Sequence, residues 1–219
     1  MNIMLYKLIE QVAILYPALI ILFTLCGATK ATAAYMMGDD NPYDFGFVSL
    51  NPLQHIDPMG LLILVGVLSL FQFDGFASVL AVTAWVFALF SGVQPYFRVP
   101  IDPHGRNFRS RRLGLFVTAI AGISSYFILW RLCAVVVLIA AIKATPLWIA
   151  IGRIFNTLAG WTLVFGIISL IPVPPLEASM LWPALFGESG DEIYAWLEER
   201  SLFILLGLLV VFILWSRGA

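Results

Sequence analysis

Charge is what this sequence has least of. Asp, Glu, Lys and Arg together make up only 11% of the 219 residues, against about 25% in a typical soluble domain. The deficit runs along the whole chain, hydrophobic residues reach 61%, and the mean hydropathy is +0.96. These values exclude a soluble globular protein and imply an integral membrane protein with several spans. Cysteine and histidine are nearly missing too, at two each. Cys26 and Cys133 both fall in apolar runs, read as small buried hydrophobes, and imply no disulfide framework. No small-residue cleavage site follows a short apolar core near Met1–Lys7, so the first apolar run is expected to be a retained span. No internal repeat, low-complexity tract or separate soluble domain is visible, and no nucleic-acid partner is expected.

What is present is a series of apolar runs at about 8–37, 59–90, 113–142, 147–171 and 201–216. The expected fold is an all-α polytopic membrane protein, one domain over 1–219, with five to six transmembrane segments. The run 59–90 exceeds the roughly 20 residues that one span needs. Asp74-Gly75 divides it, leaving either one long tilted helix or two shorter segments. Pro17 is tolerated in the first span at the cost of a kink. Small residues at Cys26–Ala34 and Ala119–Ser125 offer faces for close helix contact. Residues 98–112, with Arg98, Arg106, Arg109, Arg111 and Arg112 against Asp102, form the one strongly basic loop. The positive-inside rule places it in the cytoplasm, where it can also meet anionic lipid headgroups. Residues 187–200 are acidic and carry Trp196, as on an interfacial amphipathic helix.

Three intramembrane positions call for partners. Lys30 should face the protein interior or a wet cavity, or snorkel to an interface. Arg131 should meet an acidic residue of another helix. Pro172, Pro174 and Pro175 cannot continue a helix, so Glu177 should sit on irregular backbone that protein or a water-filled cavity covers. The most polar stretch is Asn51–Gly60, where each proline pushes its predecessor out of helical geometry. Residues 44–58 are therefore expected as a short extended β-hairpin or re-entrant element, with strand-like alternation at Phe45, Phe47 and Ser49.

These motifs together resemble the site-2 protease family of intramembrane zinc metalloproteases, over nearly the whole chain. Its compact members carry Gly-Asp, then an Asn-Pro-x-x-His-x-Asp-Pro-x-Gly block. Here Gly38-Asp39 precedes Asn51, Pro52, His55, Asp57, Pro58 and Gly60, a full match. The basic loop follows in order, then Ala121-Gly122 where the family has Ala-Gly-Pro-x-x-Asn. Late in the chain, Ser169 to Ala178, with Pro174 and Pro175, stands where the family has Asn-Leu-x-Pro-x-Pro-Pro-Leu-Asp-Gly.

By that resemblance, a His-Glu-x-x-His helix should supply two zinc ligands and a general base, and a distant aspartate the third ligand. The two histidine positions fall here on Cys26 and Lys30, the base on Gly27 and the third ligand on Glu177. Gly27 has no side chain to accept a proton, and Lys30 brings a cation to the place of the metal. Ile123 and Tyr126 stand where the family has proline and asparagine, and Ser169 replaces another asparagine. The resemblance therefore implies a catalytically inactive member, a pseudoprotease, with no intact catalytic residue and with the family's zinc lost. An ion pair between Lys30 and Glu177 is expected in its place. His55 and Asp57 alone are too few for a closed zinc site; Asp57 is expected to orient the His55 ring, a displaced site with Cys26 being the alternative. Expected partners are membrane lipids and one or more integral membrane proteins, bound by strand addition along 44–50 at Phe45, Phe47 and Ser49. The expected role is an assembly factor or complex subunit of a bacterial inner membrane. The alternatives are an active intramembrane metallopeptidase with atypical ligands, and a transporter or channel component that uses Lys30, Asp74, Arg131 and Glu177.

Overall fold

The computed structural model describes residues 3–56, 99–102 and 105–218. Asp57, Pro58, Gly60 and the run 59–90 with Asp74 lie outside these residues. So do the expected contact of Asp57 with His55 and the choice between one span and two.

Helix α1 (Ile3–Met36) runs unbroken through Pro17. Two single-turn helices follow, α2 (Asn41–Asp44) and α3 (Pro52–His55). Then come α4 (Arg111–Lys143) and α5 (Pro146–Ser169). The proline turn leads into a 3-10 turn (Glu177–Met180), α6 (Leu181–Phe186) and α7 (Glu188–Gly218). Among the described residues, three helices are long and apolar enough to cross a membrane: Ala13–Met36, Arg111–Lys143 and Pro146–Ser169. The expected run 201–216 is the C-terminal part of α7, continuous with the acidic stretch before it.

Helices α4 and α5 form a hairpin closed by two residues. Ala144 adopts a left-handed conformation (φ 49°) and donates its N–H to Ala140 O at 3.0 Å. Thr145 Oγ1 then caps α5 by accepting from Trp148 N, with Pro146 in the first turn, where a missing N–H costs nothing. Helix α1 packs against both members of the hairpin.

The buried face of these helices mixes leucines such as Leu19, Leu22 and Leu115 with many small or polar residues: Ala18, Ala31 and Ala34 on α1, and Thr118, Ala119, Gly122, Ser125 and Cys133 on α4. Large apolar side chains such as Ile128, Leu132, Leu138 and Ile142 point outward instead. A water-soluble helix would carry polar residues on that outer stripe. In a bilayer, lipid tails solvate the outer stripe, and small residues let the backbones approach. The faces at Cys26–Ala34 and Ala119–Ser125 are thus spent largely on contacts inside this chain.

Two apolar clusters bracket the middle of α1. One joins Leu19, Leu22, Phe23 and Cys26 to Leu129, Cys133 and Leu158. The other joins Ala34 to Phe108, Leu115, Ala119 and Met180. The layer between them holds Gly27 and Lys30 on α1, and Gly122 and Ser125 on α4.

Of the expected β-hairpin or re-entrant element over 44–58, the hairpin is not found: the described part, 44–56, runs from the end of α2, contains α3 and has no strand. Asn51 is extended, but its side chain caps α3, Oδ1 accepting from Leu53 N at 3.2 Å. Pro52 then takes the first-turn position for which its fixed φ is suited. Asn-Pro here opens a helix rather than a strand. Phe47 is buried, so residues 45, 47 and 49 do not line a strand edge; of the two aromatic rings, only that of Phe45 is exposed. The other charge with an expected partner is Arg131. It is exposed, with its guanidinium 5.6 Å from the Trp130 ring, and no carboxylate pairs with it among the described residues.

Candidate functional site

The polar layer opens into a cavity of about 200 Å³. Helix α1 contributes Cys26, Gly27 and Lys30, α4 contributes Gly122 and Tyr126, the proline turn contributes Pro175 and Glu177, and α7 contributes Tyr194 and Glu198.

At its centre, Lys30 Nζ stands 3.6 Å from Glu177 Oε1, and both side chains are 17% exposed. An unpaired lysine at this depth costs roughly 2.5–3.5 kcal/mol on insertion scales, and the carboxylate offsets that penalty. The pair exists because the backbone of α4 lets both side chains cross it. A Cβ on Gly122 would meet Glu177 Cγ at 2.9 Å and Lys30 Cδ at 3.5 Å. Glu177 is brought there by the turn that ends α5. Pro174 is fully buried, the Pro174–Pro175 peptide is cis, and Trp182 Nε1 donates to Pro172 O at 2.9 Å. Cys26 is a buried free thiol on the same layer, and Ser125 Oγ donates to Gly122 O at 2.6 Å.

Gly27 faces a different neighbour. The imidazole of His55 lies directly against it, and a Cβ there would meet Nδ1 at 2.6 Å. The ring is held by Nε2–H donating to Ser49 O at 2.8 Å and by Phe47, edge to face at 5.4 Å. Nδ1 is buried and finds no hydrogen-bond partner among the described residues. Burial pushes the His55 pKa below its ordinary value of 6.5, and the bond to Ser49 opposes the shift.

Asp39 of the Gly-Asp motif is fully buried. Its Oδ1 accepts from Asn41 N at 3.2 Å and from Asn107 Nδ2 at 3.3 Å. Together with Arg109 N donating to Met37 O, this fastens the basic loop to the end of α1. The motif thereby positions a loop whose Ile101 lines the cavity.

The structure thus brings Cys26, Gly27, Lys30, Pro175 and Glu177 to one cavity and sets His55 behind Gly27. Asn51 and Pro52 build the turn that carries His55, at some distance in sequence from the cavity lining. Tyr194 and Glu198 were missed. They stand a turn apart on one face of α7, and their only sequence signal was an acidic, aromatic-bearing helix.

Among the described residues, those at the three ligand positions that the resemblance gives do not fit a zinc ion. Three protein ligands and an open position make a catalytic site. Cys26 and Glu177 supply two donors, and the third position holds the Lys30 ammonium against Glu177. Among the described residues no three His, Cys, Asp or Glu side chains gather as a metal-binding group.

No protein-family model matches the chain, and no solved structure does. It is 29% identical over 182 residues to the Bacillus subtilis (strain 168) protein described as "Putative zinc metalloprotease YwhC", covering 79% of this chain and 69% of that one. The similarity, together with the apolar helices, supports a membrane location and is consistent with a site-2-protease-like family.

Proposed function

We propose that this chain is a site-2-protease-like pseudoprotease, which holds other membrane proteins as an assembly factor or complex subunit instead of cleaving them. The observation that carries the reading is the Lys30–Glu177 ion pair at 3.6 Å. Hydrolysis of a peptide bond needs an activated water and a group to take its proton. The ammonium of Lys30 repels a divalent cation from the place where it would polarise that water. At position 27, where a base would stand, there is no side chain, and the imidazole of His55 fills the space. The same cavity, still roofed by the proline turn and α7, keeps room for a group from a bound membrane segment. The reading carries with it a bacterial inner membrane and a cytoplasmic basic loop 98–112.

The test is elemental analysis of protein purified in mild detergent without chelators, with a peptidase assay on the same sample. The reading expects zinc well below one per chain, no turnover, and co-purification of a defined membrane protein. Near-stoichiometric zinc that Glu177→Ala abolishes, with peptide cleavage, would overturn it.

A further inference from the structure

Arg131 stands away from the cavity, on the outward stripe of α4 between the exposed side chains of Ile128 and Leu132. Among the described residues no carboxylate pairs with it. Its depth follows from the helix. Arg111, paired with Asp191, opens α4 at the end where the basic loop is fastened. Arg131 comes twenty residues later, about 30 Å along an α-helix. That length matches the roughly 30 Å hydrocarbon core of a bilayer. With Arg111 among the headgroups of one leaflet, Arg131 reaches those of the other.

The neighbouring helices mark the same level. A Cβ on Gly152 would meet Ala140 Cβ at 3.0 Å, and one on Gly166 would meet Tyr126 Cβ at 3.1 Å. This register sets Trp161 of α5 level with Arg131. Phe23 of α1 meets Phe165 edge to face at 5.4 Å, which brings Tyr16 within about one turn of that level. Tyr16 and Trp161 are both partly buried, and Trp130 adjoins Arg131 in sequence. Tyrosine and tryptophan gather at the interfaces of a bilayer. At the opposite end Tyr35 stacks on Tyr43 at 5.1 Å, close to where Arg109 N donates to Met37 O. The ion pair of Arg153 with Glu10, at 2.8 Å and with side chains 62% and 41% exposed, lies about two turns beyond Arg131. An exposed pair is cheap there and costly in hydrocarbon.

We infer that Arg131 binds the phosphate of a phospholipid in the leaflet opposite the basic loop. The guanidinium offers paired N–H donors that match phosphate oxygens, and the lipid chains run along Ile128 towards the bilayer centre. A tilt of α4 that draws Arg131 inside the hydrocarbon edge is taken up by its long stem. The aromatic residues at its level favour lipid over a carboxylate of a partner helix, which a deeper arginine would require.

The experiment uses the full chain in bilayers of equimolar phosphatidylglycerol and phosphatidylcholine. Nitroxides are attached in turn to Ile120→Cys, Ile128→Cys and Leu132→Cys, three exposed positions of the stripe; the native Cys26 and Cys133 are buried. Their depth is read from collisions with oxygen and with a water-soluble nickel chelate. The label at 120 should lie deep in the hydrocarbon, that at 132 at the phosphate level, and that at 128 between them. A label at 132 as deep as that at 120 overturns the inference. Phosphatidylglycerol retained in nonionic detergent is then counted by native mass spectrometry. Arg131→Gln should weaken retention about fivefold, the size of one basic residue beside anionic headgroups. Arg131→Lys should keep most of it, and inorganic phosphate should not displace the lipid. Equal retention by wild type and Arg131→Gln overturns the inference, whether Asp74 or a partner's carboxylate then holds the guanidinium. So does a membrane protein that co-purifies with wild type and is lost from Arg131→Gln.

Discussion

The imidazole of His55 fills the space into which a side chain at Gly27 would project. A Cβ there would lie 2.6 Å from Nδ1 and 3.3 Å from Cε1, distances that require the ring to leave. The ring is not free to go, since Ser49 O and Phe47 hold it from two sides. The missing side chain at position 27 and the burial of His55 are therefore one packing solution.

Introducing a carboxylate at position 27 should accordingly fail as a single change. Gly27→Glu is expected to destabilise the protein by about 1–3 kcal/mol, the usual range for overpacking. It should lower the midpoint of thermal unfolding in detergent and yield no peptidase activity. Adding His55→Ala opens the space and should recover part of the lost stability. If Gly27→Glu unfolds at the wild-type temperature, the contact does not constrain the site.

The Lys30–Glu177 pair should show strong coupling. Removing one member of a buried pair costs about 3–5 kcal/mol because the other charge is stranded. With both side chains 17% exposed, the low end of that range or less is expected for Lys30→Met or Glu177→Gln. The double variant Lys30→Met/Glu177→Gln should be more stable than the sum of the single losses predicts. A cycle on unfolding midpoints in one detergent measures this, and additive effects would show that the two residues do not interact.

How much of this could be read from the chain beforehand depends on where the information lay. The approach of Lys30 to Glu177, at 3.6 Å, was legible because the resemblance puts both residues at positions of one site. The contact of Gly27 with His55 was not. Both residues were marked, but only a folded backbone reveals that one lies over the other. Asn51-Pro52 was read as extended, although the same local chemistry suits a helix N-terminus. The side-chain bond from Asn51 to Leu53 N decides between the two, and it leaves no trace in composition. Glu198 and Tyr194 belong to an acidic helix that looks interfacial on its own. Only its packing beside the proline turn turns one of its faces to the cavity.

Gly122 should tolerate no side chain. A methyl group there would meet Glu177 Cγ at 2.9 Å, so Gly122→Ala forces the carboxylate away from α4 and lengthens the ion pair. A loss of about 1–3 kcal/mol is expected, measured as a lower unfolding midpoint. In a Glu177→Ala background the obstacle is gone, and the same substitution should cost much less. Equal costs in both backgrounds would place the strain somewhere other than the pair.

Stability should also fall with acid through His55. Its pKa in the folded protein lies below the ordinary 6.5 because burial penalises the imidazolium, so the unfolded chain binds the proton first as pH drops. Stability rises with pH wherever the unfolded state holds more protons. This contribution is therefore complete above about pH 6.5 and is lost progressively as pH falls towards the folded-state value, below which the loss levels off. His55→Gln keeps a donor for Ser49 O but does not titrate. It should be less stable than wild type at neutral pH, with a flatter unfolding profile between about pH 5 and 7. The comparison isolates one group, since model carboxylates titrate mostly below that window, at about 3.9–4.3. Parallel profiles for the two proteins would assign the acid sensitivity to other groups and leave the His55 imidazole with no part in it.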